Sequence, residues 1–584
     1  MAAPSANARR VLEARYLQRD ASGRLIEDFE GLCRRVSGAV AEAEAVFGGD
    51  VARTRDLFYD ALERREFLPN SPTLMNAGMP LGQLAACFVL PIEDSLESIF
   101  EAVKRMAVIH QSGGGTGFSF SRLRPGGDAV KTSPGVASGP VSFLGVFDAA
   151  TSVIKQGGRR RGANMGVMRV DHPDIFEFVR VKARNDRIAN FNLSVAITDA
   201  FFRAALAGES FDLVNPRNQK VARSVDAASL LAEIAQAAWA SGDPGVIFLD
   251  AVNRANPTPA LGALEATNPC GELPLLPNES CNLGSLRLSA FVRNGAIEWE
   301  RLDAAVDLAV RFLDDVIEVS RYPYPEIAAA TRGNRKIGLG VMGFADLLVD
   351  LGVAYDDPEA VRVAGLVMAR ISARAERASA ELAERRGPFP NFVRSRLAEQ
   401  GRRLRNATVT SIAPTGTLSM LADCSGGIEP YFALAFVRFV LDGARLPETN
   451  DRFEAALRHA GAHGEELLAR VRREGRARGV AGVPPGVQRL FPIASDIAPE
   501  AHLAVQEAFQ KHVDNAVSKT INLPAGATPE DVRAIYTSAW RRGLKGVTVF
   551  REGCKSAAVL VRGEGGAVEL GGEAVGDCSE ERCG

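Results

Sequence analysis

Cysteine is scarce in this 584-residue chain: there are eight, at positions 33, 87, 270, 281, 424, 554, 578 and 583. So few, so far apart, exclude a disulfide scaffold, and the absence of any CxxC pair excludes the usual zinc-ribbon and thioredoxin-like spacings. Long apolar runs are also missing. Nothing approaches the roughly 18 residues needed to span a bilayer, and Met1 to Arg10 is polar and small, without the apolar core of a secretory signal. Nor is there an excess of charge of one sign: 69 basic against 71 acidic residues leave no field to collect nucleic acid or an anionic membrane. Histidine is limited to six. His459 and His463 are four apart, but no glutamate follows the first and Gly461 lies between them, so they read as a solvated helix face. These absences describe a cytoplasmic protein whose thiols are free for packing or chemistry.

The chain alternates helical and strand patterns. Leu96, Ile99, Phe100, Val103 and Ala107 recur at helical spacing over 95–111, with Asp94 and Glu97 placed like a capping box. A second helix is predicted over about Leu302–Ser320, and a long one from Pro358, capped by Asp357, to the Gly387-Pro388 stop. Val409–Ala413 and Phe191–Ile197 are short β-rich runs. Such alternation over several hundred residues predicts an α/β fold with parallel strands. From Val561 to Gly576 the composition turns Gly-rich, the signature of a flexible leash.

Several motifs carry chemistry. Gly338-Leu-Gly-Val-Met-Gly343 satisfies GxGxxG, but the polar run Thr331–Lys336 before it is no buried strand, which argues against a dinucleotide site. Gly113-Gly-Gly-Thr-Gly117 lacks the Lys-Ser/Thr ending of a Walker loop, and a close-packed turn explains it as well as ligand contact does. Thr408–Ala413 leads through Pro414-Thr-Gly-Thr-Leu418 into a helix start, where free N–H groups and hydroxyls suit a phosphate; a plain hydroxyl cap is the simpler alternative. Asn268-Pro-Cys-Gly-Glu272 sets an amide, a thiol and a carboxylate at alternate positions, which in an extended loop puts all three on one side. A small buried turn cysteine is the bland alternative there.

Taken in order, Leu68–Gly78 (LPNSPTLMNAG), Ala86–Leu90 (ACFVL), Gly113–Phe118, Gln156–Gly162 (QGGRRRG), Asn268–Glu272, Ile337–Gly343 and Ser411–Thr417 resemble the large catalytic chain of ribonucleotide reductases. Ser518–Pro524 (SKTINLP) and Gly543–Phe550 (GLKGVTVF) are similar to the dimeric, adenosylcobalamin-dependent class in particular. The resemblance covers nearly the whole chain. It implies a ten-stranded α/β barrel of two five-stranded parallel halves with Cys270 on a central finger loop. Three parts follow from it: a helical region over 1–67, where the family's regulatory ATP-cone is not recognisable, a catalytic barrel over 68–555 and a flexible tail over 556–584.

By the same resemblance Cys270 is the thiyl-radical residue, Glu272 the base at the ribose 3'-hydroxyl, Asn268 the amide at the substrate hydroxyls, and Cys87 with Cys281 the electron-delivering pair. Thr73, Ala86, Gly115, Pro414, Thr415, Gly416, Thr417 and Leu418 would contact the substrate, the last five at its diphosphate. Ala85 and Ala86 stand where relatives often have a serine, so a hydroxyl contact is lost there. Asp94, Ser95 and Arg124 match contacts to a deoxynucleotide or ATP effector at a homodimer interface, and Lys155–Ala163 and Lys182–Ile188 match the loops that couple effector to substrate. The cofactor implied is adenosylcobalamin: homolysis of its cobalt–carbon bond yields the radical that oxidises Cys270. None of the seven tyrosines are adjacent, as a tyrosyl relay would need, and the Glu581-Arg-Cys-Gly584 end lacks a glycyl-radical motif. Two alternatives stand beside this one: the large subunit of a metal-radical reductase, and an inactive nucleotide-binding regulator. Cys578 and Cys583, at the end of a leash with a reach of about 25 Å as a coil, are expected to pass electrons from a thioredoxin-like protein to the Cys87–Cys281 pair. No resident protein-bound metal site is expected.

Overall fold

The structure is a computed structural model that describes residues 4–130, 135–156, 160–183, 188–440, 444–554 and 560–562. The tail cysteines Cys578 and Cys583, and parts of the two loops at 155–163 and 182–188, lie outside the described residues.

Ten strands share one sheet: β1 Phe67–Pro69, β2 Cys87–Val89, β3 Gly115–Ser119, β4 Asn164–Arg169, β5 Phe191–Ile197, β6 Gly245–Phe248, β7 Ser280–Arg287, β8 Ile337–Met342, β9 Thr520–Leu523 and β10 Gly546–Arg551. Strands β2 to β6 pair parallel in sequence order. The second half starts with β7 parallel to β8 and ends with β9 parallel to β10. Between them the predicted run Val409–Ala413 is reduced to single parallel bridges, Leu339 to Thr410 and Ile412 to Val517. Antiparallel joints, β2 to β7 and β6 to β10, close the two five-membered halves into a ring. This is the predicted barrel, with β1 added antiparallel to β7 outside it. The strands of a barrel wrapped by helices are buried on both faces and so read as continuous apolar runs; β5, FNLSVAI, is such a run and has the predicted bounds.

Helices carry the crossovers. We label α1 Ala6–Val11, α2 Phe29–Ala41, α3 Val51–Glu63, α4 Leu96–Gln111, α5 Pro140–Val153, α6 Trp299–Val319, α7 Pro358–Arg386 and α8 Gly416–Leu421. The long α7 starts after the Asp357 cap with Pro358 first and stops at Gly387, as predicted. At α4 the expected cap is corrected: Ser95, not Asp94, accepts from Ser98 N, because the Asp94 carboxylate is taken by Arg124 at 2.8 Å. His459 closes the helix Asp451–His459 and His463 lies beyond it, so the two share no helix face.

Among the described residues, three of the four apolar clusters organise the barrel. One joins α1, α2 and α3 to α6, α7 and β8, so the N-terminal helices and the barrel share a core. Arg386 reinforces that join, pairing with Glu44 on one side and with Asp314 (2.9 Å) and Asp315 (2.6 Å) on the other. A second fills the outer side of β2–β6. The third, smaller, lies inside the ring and contains Cys87, Val167, Ala196, Ile247, Leu273 and Cys281. Among the described residues no helix is long and apolar enough to cross a membrane.

Candidate active site

A hairpin enters the barrel. Ala266–Thr267 pairs with Pro274–Leu275, and the turn between them carries Asn268, Cys270 and Glu272. The segment is not the extended loop expected from alternate positions. Gly271 adopts φ +81°, a left-handed conformation that glycine enters at no steric cost, and Gly271 N donates to Asn268 O at 3.1 Å. Asn268 Oδ1 accepts from Leu273 N at 3.0 Å and closes the turn. All three functional side chains still reach one cavity, by a tight turn instead of an alternating strand.

The glycine runs make room for this hairpin. A Cβ on Gly117 would lie 1.7 Å from Thr267 O, and one on Gly115 would lie 2.8 Å from Pro269 Cγ. Gly338 and Gly340 do the same in the other half, where added Cβ atoms would meet Leu283 Cδ2 at 2.4 Å and Ser411 O at 2.3 Å. Thus GxGxxG is here a barrel strand, β8, with no turn into a helix at its first glycines. The hairpin is pinned from both halves: Asn192 Nδ2 donates to Pro269 O (2.9 Å), while Ser411 Oγ (3.0 Å) and Ala516 N (2.9 Å) donate to Glu272 O.

The cavity at its tip has a volume of about 160 Å³. Ala86, Cys87, Gly115, Asn268, Cys270 and Glu272 line it, together with Pro414, Thr415, Gly416, Thr417 and Leu418 at the start of α8. Thr73 does not: it is fully buried, and its hydroxyl donates to Leu84 O at 3.0 Å. The neighbouring Asn70 and Ser71 face the cavity instead, as do Arg15 and Tyr16. Sequence reasoning missed these four. Asn70 and Ser71 lie inside the LPNSPTLMNAG motif, but Arg15 and Tyr16 have no local signal at all.

Cys87 lines the cavity, and Cys281, its register partner on β7, is fully buried off the cavity wall. Asn268 Nδ2 donates to Cys87 Sγ at 3.1 Å. Burial pushes both thiols well above the usual range, helped at Cys87 by the Glu272 carboxylate, so both stay protonated. Burial also pushes the Glu272 carboxyl up to about 7, with the Asn268 amide pulling the other way. Glu272 Oε2 has no hydrogen-bond partner among the described residues. A buried carboxyl poised near neutrality with an unspent oxygen is suited to take and return a proton. Cys270 is the half-buried thiol of the three, and it shares the cavity wall with Cys87.

Asp94, Ser95 and Arg124 come together elsewhere, at the start of α4. Arg124 N also donates to Asp94 Oδ1 at 3.1 Å.

A ribonucleotide reductase barrel-domain model matches residues 85–404 and 396–550, and the all-alpha domain model of ribonucleotide reductase matches residues 2–82. The chain belongs to the ribonucleotide reductase family. It is 52% identical to a vitamin B12-dependent ribonucleoside-diphosphate reductase of Mycobacterium tuberculosis (strain CDC 1551 / Oshkosh), over 94% of this chain and 80% of that one. It is 45% identical to a protein of the same description from Thermoplasma acidophilum, over 95% of this chain and 80% of the relative. Among solved structures, the Actinobacillus ureae class Id ribonucleotide reductase alpha subunit superposes with a TM-score of 0.76 at 25% identity, covering 95% of this chain and 98% of that chain.

Proposed function

We propose that this chain reduces ribonucleoside diphosphates to 2'-deoxyribonucleotides through a thiyl radical at Cys270, with adenosylcobalamin as its cofactor. The observation that carries this reading is the convergence of Cys270, Glu272, Asn268 and Cys87 on one cavity, with Cys281 in register behind Cys87.

The residues beside the hairpin fit a bulky cofactor. Asn192, which holds Pro269, shares a face of β5 with Ser194. Level with Ser194 run Gly245, Thr548 and Thr520 on β6, β10 and β9, all small. A Cβ on Gly245 would fill this cradle, 3.2 Å from Thr548 Oγ1 and 3.4 Å from Ser194 Oγ, and Thr548 is exposed although its strand is internal to the ring. Ser194, Gly245, Thr548 and Thr520 would hold the group. When bound, adenosylcobalamin supplies the one-electron oxidant that leaves Cys270 as a thiyl.

The rest belongs to the chain. Cys270 Sγ takes the 3'-hydrogen of the ribose, and Glu272 accepts the 3'-hydroxyl proton. The 2'-hydroxyl leaves as water with a proton from the Cys87–Cys281 pair. That pair gives two electrons and two protons in all, the first proton to the leaving water and the second to C2', and becomes a disulfide; Glu272 returns its proton to the 3'-oxygen, and Cys270 returns its hydrogen to C3'. Asn268 orients the substrate hydroxyls, and Pro414–Leu418 receives the diphosphate. Relatives with this activity match at 45–52% identity, against 25% for the class Id alpha subunit, so neither a two-protein metal-radical enzyme nor an inactive regulator is favoured.

The partners of this reading are a second copy of the chain, a nucleotide effector and a thioredoxin-like reductant. Leu96 and Phe100, 60% and 53% exposed one turn apart on α4, support a homodimer contact there, beside the Asp94–Arg124 pair assigned to the effector. The test of the whole is an assay with adenosylcobalamin, a ribonucleoside diphosphate and dithiol, without a second protein. Deoxynucleotide should form with wild type and not with Cys270→Ser, whose hydroxyl is far harder to oxidise; activity in that variant overturns the reading.

A further inference from the structure

Of the described residues that line the cavity, two carry charge: Glu272 and Arg15. Glu272 belongs to the hairpin. Arg15 arrives from the other end of the chain, in a π-helical turn, Leu12–Tyr16, that continues α1. Such turns are rare and interrupt the regular helical progression of side chains. Here the turn brings two consecutive side chains, Arg15 and Tyr16, to the cavity wall.

The support under Arg15 is firm. Leu12 and Tyr16 are 1% and 3% exposed, and the Tyr16 hydroxyl shares a 2.8 Å hydrogen bond with Ser71 Oγ. Just before α1, Ser5 N donates to Asp423 Oδ2 (3.3 Å), past the end of α8. Arg15 Nη1 itself donates to Thr417 Oγ1 at 3.3 Å, so the guanidinium stands beside the segment that receives the diphosphate.

A nucleoside diphosphate carries several negative charges into this space. The other polar groups on its wall are hydroxyls, amides and thiols, or the acidic Glu272. Placing an anion there without a cation would carry a desolvation cost that neutral donors only partly offset. A guanidinium is always charged, and its planar fork matches two phosphate oxygens at once.

We infer that Arg15 is a substrate-binding residue that clamps the diphosphate of the nucleotide against Thr415 and Thr417. The inference rests on the reductase reading and deepens it: the N-terminal segment becomes part of the active site and helps the enzyme discriminate by phosphate charge. Tyr16, through Ser71, acts as the positioning residue for this clamp.

The test compares Arg15→Gln and Arg15→Lys with the wild-type full chain in two measurements: steady-state reduction of a ribonucleoside diphosphate, and equilibrium binding of inorganic pyrophosphate, which needs no turnover. In the Gln variant KM for the diphosphate should rise by about ten- to a hundredfold, the range expected for loss of a charge-assisted hydrogen bond, with kcat within about threefold of wild type, and pyrophosphate binding should weaken in parallel. The Lys variant, keeping the charge without the fork, should fall between the two, and it carries the test if the Gln variant does not fold. An unchanged KM, unchanged pyrophosphate affinity, or a fall in kcat at constant KM would overturn the assignment, the last because it marks a residue that only shapes the cavity. Arg15-dependent pyrophosphate binding by a wild type that reduces no ribonucleotide would retain Arg15 as a phosphate ligand and reject the reductase reading instead.

Discussion

Cys87 and Cys281 sit directly opposite one another across the antiparallel joint between β2 and β7, although 194 residues separate them in the chain. Cross-strand partners have Cα atoms about 4.5–5.5 Å apart, inside the range of about 4.4–6.8 Å that a disulfide accepts. The joint that closes the barrel is therefore also a place where two thiols can become a disulfide without backbone movement. Pre-reduced enzyme given cofactor and substrate but no reductant should make no more than two deoxynucleotides per site, one from this pair and one from the tail thiols that re-reduce it, and end two hydrogens lighter at Cys87 and Cys281, measured by peptide mass. Cys281→Ser should form no disulfide and no deoxynucleotide; continued turnover in that variant would remove the pair from the reaction.

Glu272 links activity to pH and to stability. Its carboxyl titrates near 7 in the fold against about 4.5 for an ordinary glutamate. A folded value above the unfolded one means that the neutral form is favoured in the fold. Its contribution is fully present below about pH 4.5 and is lost as pH rises through about 7. Glu272→Gln, neutral throughout, should therefore gain stability relative to wild type between those limits, by about 3 kcal/mol for a shift of this size. Urea unfolding midpoints at pH 5 and pH 8 measure it, and an equal difference at both would contradict the buried-acid assignment. The same variant should lack the rise of kcat with pH near 7 that the wild-type base produces.

Thr415 and Thr417 separate by function. Thr415 Oγ1 accepts from the buried Gly427 N at 2.7 Å, so Thr415→Val leaves that donor unpaired and should cost about 1–3 kcal/mol of stability. Among the described residues, half-buried Thr417 bonds through its side chain only to Arg15. Thr417→Val should leave stability within about 0.5 kcal/mol while raising KM for the diphosphate several-fold, with the order of preference among bases unchanged. Calorimetric unfolding and KM values for four ribonucleotides decide it.

Gly117 tests the hairpin. An alanine Cβ would fall 1.7 Å from the Thr267 carbonyl oxygen, a backbone atom that cannot swing aside, so the hairpin carrying Cys270 must shift. A misplacement of about 1 Å costs on the order of a hundredfold in rate. Gly117→Ala should lose activity to that extent while the barrel still folds, read by kcat together with circular dichroism. Near-wild-type kcat would mean that the finger loop does not need this close approach.

What the sequence disclosed follows the range over which each signal acts. Helix α7 was legible to its last residues because its cap, first proline and stop glycine are local, and β5 because both its faces are buried. The fate of Val409–Ala413 was not, since whether a run forms a ladder or single bridges depends on neighbours more than a hundred residues away at Val517. The glycines of β8 looked like a nucleotide fingerprint because the sequence does not show that Ser411 passes against them. Asp94 looked like a cap because the competitor for its carboxylate, Arg124, is thirty residues on. At the site, the Asn268–Glu272 segment was visible from its residue types, but Arg15 was not: no motif marks it, and only the π-helical turn brings it to the cavity.

The tail is expected to carry electrons back to the active site. The Cys87–Cys281 disulfide that the proposed turnover would leave behind would be buried, with Cys281 fully covered and Cys87 facing the cavity, so a folded reductant would have no direct approach. Thiol exchange needs a thiolate brought into line with a disulfide sulfur, which favours a thin, flexible carrier. Residues from about 556 onward have a contour limit of about 70 Å over roughly twenty residues, enough to reach into a neighbouring cavity while the barrel stays closed. Cys578 and Cys583, with four polar residues between them, can close into a disulfide without disturbing a fold. We expect them to take up the active-site disulfide and to be recharged by a thioredoxin-like protein. In the double variant Cys578→Ser, Cys583→Ser, a single turnover by pre-reduced enzyme should match wild type, while sustained turnover with thioredoxin as reductant should stop. A small dithiol, which can enter the cavity itself, should restore much of it. Undiminished thioredoxin-driven turnover in the double variant would show that electrons reach Cys87 and Cys281 by another path.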